Sequence, residues 1–119
     1  MESILTSIKK MLGIVEEYEH FDADLIMHIN SVLSILTQLG VGPSEGFTIT
    51  DKSQTWDEFV TGAKFSDVKS YVYMKVKLMF DPPTSSSVME STNRMISELE
   101  WRLNVQAETN SKEENQNGS

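Results

Sequence analysis

Asp24 and His28 stand four residues apart, a spacing that can place two metal ligands on one face of a helix. Nothing else completes the set. His20 is the only other histidine, and the chain has no cysteine. Two ligands do not close a site, so the pair reads as ordinary helix neighbours. Glu16 and Glu17 are paired carboxylates, but Glu16-Glu17-Tyr18-Glu19-His20 reads as a solvated loop, without the burial that raises a carboxyl pKa. Serine and threonine are plentiful, yet no Gly-x-Ser-x-Gly presents a nucleophile. Gly40, Gly42 and Gly46 are spaced as turns, not as a phosphate-cradling loop. The residues that could do chemistry therefore argue against an enzyme, and no catalytic residue, metal or cofactor is expected.

Composition narrows the remaining classes. A chain of 119 residues fits one domain with a modest core. Hydrophobic residues make up 39%, an average lowered by a polar C-terminal end. The absence of cysteine rules out disulfides and suits a reducing cytoplasm. Residues 1–12 have acid before base and no long apolar run, so they do not read as a secretion signal. No stretch approaches the roughly 18 apolar residues of a membrane span, so a soluble protein with no membrane partner is expected. The net charge of −8, from 18 acidic against 10 basic residues, argues against a stand-alone nucleic-acid binder. Lys64, Lys69, Lys75 and Lys77 fall close in sequence. At roughly 100° per residue, however, Lys69, Lys75 and Lys77 point in separate directions and form no stripe.

Four main helices account for most of the chain. Ser3–Leu12 predicts the first, with Ile4, Leu5, Ile8, Met11 and Leu12 on one side and Gly13 to end it. After the acidic loop, Asp22 is placed to cap a second helix over Ala23–Leu39, with Asp24 in its first turn. Leu25, Ile26, Ile29, Val32, Leu33, Leu36 and Leu39 recur there at helical spacing, and Ile35 widens the band, which predicts a central helix. Gly40 and Gly42-Pro43 end it. Residues 41–55 form a long, partly irregular arm. Its Phe47–Thr50 alternation suggests a strand that would lack a partner. Thr55-Trp56-Asp57-Glu58 resembles a capping start for a turn or two of helix to Thr61, with Trp56 and Phe59 pinning the arm to the domain.

Ser66 is placed to cap a third main helix, Asp67–Phe80, whose buried face is Val68, Tyr71, Val72, Val76 and Met79. Asp81-Pro82-Pro83 stops it, because a residue before proline is pushed out of the α region. Hydroxyls in Thr84–Ser87 can cap the fourth helix, Ser86–Val105. Its apolar stripe is Met89, Thr92, Ile96, Leu99 and Leu103, with Val88 and Met95 alongside. Glu90, Arg94, Glu98 and Arg102 form a ladder four residues apart, in the favourable Glu-before-Arg order. Trp101 lies nearly opposite the apolar stripe, among those charges. It either meets a partner or packs on the N-terminal helix of its own subunit. Residues 106–119 have no large apolar side chain and predict a disordered polar tail, or one ordered only in an assembly. The expected organisation is all-α: a helical domain over 1–105, then the tail 106–119.

The layout from Ile4 to about Val105 resembles the small helical head–tail connector proteins of tailed double-stranded DNA phages, also called DNA-packaging or head-completion proteins. The resemblance is carried by ILTSIKKMLGI, by EEYEHFDADLIMHINSVLSIL, by VKSYVYMKVKLMFDPP and by ISELEWRLNV. FDPP followed by ELEWRLN is the distinctive string. This chain departs from the pattern in a longer, glycine-containing arm over 41–55 and in Leu78-Met79-Phe80, where many relatives end the helix in arginines.

What the resemblance implies is a structural subunit that assembles as a ring homo-oligomer on the portal protein, after DNA is packaged. It would extend the DNA channel and offer a docking surface to a downstream neck or tail-completion protein. Packaged DNA would pass without specific binding, which an acidic subunit suits. The place implied is the virion neck, reached from the host cytoplasm during assembly. Candidate interface residues are Trp101, Arg94 and Arg102 on the fourth helix, with Trp56 and Phe59 on the arm. The rival reading is a small acidic regulatory protein that binds and inhibits a basic partner.

Overall fold

The computed structural model describes residues 2–117, with side chains for all of these but Ala63 and 108–117. Helix α1, Ile4–Met11, starts where the Ser3 hydroxyl accepts a hydrogen bond from the Thr6 amide (3.2 Å) and stops before Gly13, whose φ of +81° no helix continues through. Helix α2, Asp22–Gln38, is followed by Gly40 at φ +87°. A single helical turn, α3, covers Trp56–Phe59. Its capping box is the predicted one, with the Glu58 carboxylate accepting from the Thr55 amide at 3.0 Å. A 3-10 turn at Gly62–Lys64 leads into α4, Phe65–Phe80, and α5 covers Ser86–Asn117. Ser85 caps α5 weakly, its hydroxyl 3.4 Å from the Val88 amide.

The expected all-α architecture is the observed one, and no strand forms among the described residues. Several local expectations need correction. Asp22 does not cap α2; it is the helix's first residue, and its carboxylate lies 2.9 Å from the Lys9 ammonium. Ser66 does not cap α4, because the 3-10 turn already winds the chain and the helix begins at Phe65. Met79 is exposed rather than buried. The α5 backbone runs helical to Asn117, past the predicted end at Val105. The expected tail over 106–119 falls mostly on residues whose side chains lie outside the described ones, as Gly118 and Ser119 do entirely.

The core draws Ile4, Leu5 and Ile8 from α1, Leu25, Ile29, Val32, Leu33 and Leu36 from α2, Val68, Tyr71, Val72 and Val76 from α4, and Ile96, Leu99 and Leu103 from α5. Helix α2 is as buried as predicted, but α4 holds the middle: it packs on α1, α2 and α5. Met74, Leu78 and Phe80 flank its buried stripe and also pack against the core, so α4 offers apolar surface in more than one direction. Burying both sides of such a helix removes more hydrocarbon from water than burying one.

The arm is not a free loop. Asn30 on α2 accepts a hydrogen bond from the Ile49 amide (2.7 Å) and donates one to the Ile49 carbonyl (3.0 Å). Its side-chain amide does for Ile49 what a neighbouring strand would do, and the Thr50 amide is met by the Gln54 side chain at 2.8 Å. Further on, an antiparallel bridge joins Ser3 and Thr55, with the Ile4 amide on the Gln54 carbonyl at 3.0 Å. The arm thus returns to the start of α1 and delivers α3 into the core.

Candidate assembly surface

Helix α5 presents its outer face because its inner face is fixed. Leu99 and Leu103 are buried against the core, and between them the Glu100 carboxylate accepts a hydrogen bond from the Tyr71 hydroxyl of α4 at 2.7 Å. Burial raises the Tyr71 pKa well above its ordinary value, and the bond to Glu100 and its charge raise it further. Residue 101 then points outward, at roughly 100° per residue from this inward pair. Trp101 is 68% exposed. Of the two readings open for it, packing on the N-terminal helix is not what occurs.

The two arginines behave differently. Arg102 is held by the Glu98 carboxylate at 2.7 Å and stands 3.9 Å from Asp67 on α4, so it links the two helices. Arg94 is exposed, with only the Ser91 hydroxyl at 3.5 Å, and meets no carboxylate among the described residues. The ladder therefore closes at its Glu98–Arg102 rung. Exposed pairs of this kind contribute little to stability, about 0.3–0.5 kcal/mol.

Trp56 and Phe59 lie elsewhere. Trp56 is fully buried, its indole N–H donating to the Ser7 hydroxyl at 2.9 Å, while Ser7 donates to the Ser3 carbonyl at 2.7 Å. Phe59 is 3% exposed, against Phe47 at 5.7 Å between ring centres and against Gly42. Both side chains pin the arm to the domain, and a partner meeting the folded subunit touches neither. As interface candidates they are corrected to core residues, and the reason is the Ser3–Thr55 pairing that folds the arm inward. The surface that remains is Trp101 with Arg94, seven residues apart on one side of α5, and the exposed Val105 one turn further on.

A family model for phage connector proteins matches residues 4–110. The chain belongs to that family. The match opens on the first residue of α1 and its range includes the arm over 41–55. The family is a structural one. None of the curated proteins and none of the solved structures matches the chain.

Other groups in the connector were not visible in the sequence. Lys9 is 2% exposed, yet it pairs with Asp22 and donates to the Glu16 carbonyl at 2.8 Å. A lysine on a short amphipathic helix normally reads as solvated, and no local signal marks this one. His20 joins an aromatic cluster with Tyr18 and Phe21, and Phe21 meets Phe80 edge-on at 5.1 Å. Asp24 and His28 are joined by no hydrogen bond or ion pair. No group of three or more His, Cys, Asp or Glu is placed to hold a metal among the described residues. No helix among these is long and apolar enough to cross a membrane.

Proposed function

We propose that this connector is a non-catalytic adaptor subunit. It assembles as a ring on the portal at the capsid vertex and joins the DNA-filled head to the tail. The observation that carries the reading is Trp101, a large aromatic left in water on a rigidly seated helix of a phage connector. Aromatic side chains of this kind dominate the energetics of protein interfaces once covered. A ring subunit needs two different complementary faces, because a cyclic contact beyond a dimer is heterologous. The α5 face supplies one of them. The portal and a downstream neck or tail-completion protein take the two ends of the ring.

The charge of −8 supports a channel role of a particular kind. A lumen that attracted phosphates would retain the genome during ejection, whereas an acidic one lets DNA slide.

Three measurements test the reading. Purified virions should contain the protein at a copy number comparable to the portal's. Adding portal rings to the monomer should also produce higher oligomers; a protein that stays monomeric beside assembled portal counts against the adaptor role. Tight, salt-sensitive binding of the isolated chain to duplex DNA contradicts the sliding channel.

A further inference from the structure

The chain leaves an indole in water on the outer face of α5 and an apolar notch open beyond the end of α1. The notch lies just past α1, where Gly13 turns the chain and Ile14 and Val15 wall a space of about 410 Å³. Val15 is 66% exposed. Glu16 and Glu17 stand on its rim, with Lys10 as the one opposing charge. Two other surface notches are chemically different. One of about 300 Å³ is built around Lys9, Asp22 and Asp51, and one of about 430 Å³ runs along Asn30, Ser34 and Thr37. The notch at α1 is the one of these three suited to a hydrocarbon occupant.

Trp101 cannot reach it within one subunit. The Lys9–Asp22 and Phe21–Phe80 contacts hold the notch beside the start of α2 and the end of α4. The Tyr71–Glu100 bond and the approach of Arg102 to Asp67 hold Trp101 beside the first half of α4, and Ala107, six residues further on, lies against Gly40 past the end of α2. The 17 residues of α2 run about 25 Å from the notch to Gly40, and Trp101 lies about 9 Å back along α5 from Ala107, so more than half of that length separates knob from notch. Knob and notch can meet only between copies.

We propose that Trp101 of one copy seats in the Ile14–Val15 notch of the next, with Arg94 meeting Glu16 and Glu17 at the rim. The inference rests on the ring reading above and supplies its subunit contact. A knob and a notch at different places on one molecule make a head-to-tail contact, the kind that closes into a ring. Burying the indole supplies the apolar area. The Arg94–glutamate approach fixes orientation more than affinity, and gives two net-acidic copies a local attraction.

The test uses the full chain and exploits its lack of cysteine. Ser97 is exposed one turn before Trp101, and Val15 lies in the notch. With a short bismaleimide, the double variant Ser97→Cys, Val15→Cys is expected to give a ladder of covalent multimers. Either single variant should stay monomeric. Adding Trp101→Ala should weaken the ladder about tenfold or more, with an unchanged thermal melt showing that the subunit still folds. Arg94→Glu should weaken it as well, and Glu17→Arg in the same chain should restore it. A dimer from Ser97→Cys alone would place α5 against itself and overturn the contact. So would a ladder that survives Trp101→Ala. Rings in electron micrographs without a ladder overturn this contact while leaving the adaptor reading intact. A monomer that persists beside portal rings overturns both.

Discussion

Replacing Gly42 by alanine asks whether the arm is locked to the core in solution. Gly42 has φ +82°, a left-handed conformation that costs an L-residue roughly 1–2 kcal/mol. A Cβ there would also stand 2.6 Å from Cε1 of the Phe59 ring. Phe59 is buried and cannot retreat without disturbing its neighbours, and overpacking of that kind costs about 1–3 kcal/mol. Gly42→Ala should therefore destabilise the subunit by about 2–5 kcal/mol. Gly46 provides the control. Its φ is +90°, but a Cβ there meets nothing within 4 Å, so Gly46→Ala carries the backbone cost alone. Urea unfolding followed by far-UV circular dichroism measures both. A Phe59→Leu change in the Gly42→Ala background should recover part of the extra loss, since removing the ring edge relieves the clash. If the two alanine variants cost the same within about 0.5 kcal/mol, Phe59 does not pack on Gly42. The arm would then again be available to a neighbouring subunit.

Trp101→Ala should leave stability within about 0.5 kcal/mol of wild type, because the side chain is exposed, and should still weaken the higher oligomers that sedimentation finds once portal rings are added. Lys9→Met keeps the buried stem but leaves the Asp22 carboxylate without its cation. That contact is an ion pair by distance, though not aligned as a hydrogen bond, and Asp22 is partly exposed. The expected loss is about 2–4 kcal/mol, below that of a fully buried pair, and adding Asp22→Asn should recover some of it. Tyr71→Phe removes the bond to Glu100 and should cost about 1–3 kcal/mol in the same unfolding assay. The raised Tyr71 pKa also fixes a sign. The folded state holds that proton more tightly than the unfolded chain, so the stabilisation is complete below about pH 10 and is lost as pH rises above it. Tyr71→Phe should flatten that alkaline loss, and equal alkaline slopes in both proteins would remove Tyr71 as its cause.

The family resemblance and the candidate surface were partly legible in the residues. Trp101 could be placed opposite the apolar stripe because α5 is long enough to define its faces by periodicity alone. Trp56 and Phe59 sit on a single turn, which is too short to define a buried side. Their place depends on the arm pairing with Ser3, and on a hydrogen bond between residues 49 apart in sequence. Arg94 and Arg102 looked equivalent on the ladder. They separate only because Asp67, on another helix, lies beside one of them.

By itself the sequence determined the helices and most of their ends. Apolar spacing, Gly13, Gly40 and Asp81-Pro82-Pro83 act within a few residues, and backbone sterics and helical periodicity are local rules. The tertiary structure decided what those elements face: α4 rather than α2 in the middle, Asn30 standing in for a strand, Lys9 buried on Asp22, and the arm's aromatics turned inward. Such choices depend on how several surfaces are covered at once. No window of neighbouring residues contains that information, because the free energy of burial belongs to the packed arrangement and not to any one segment.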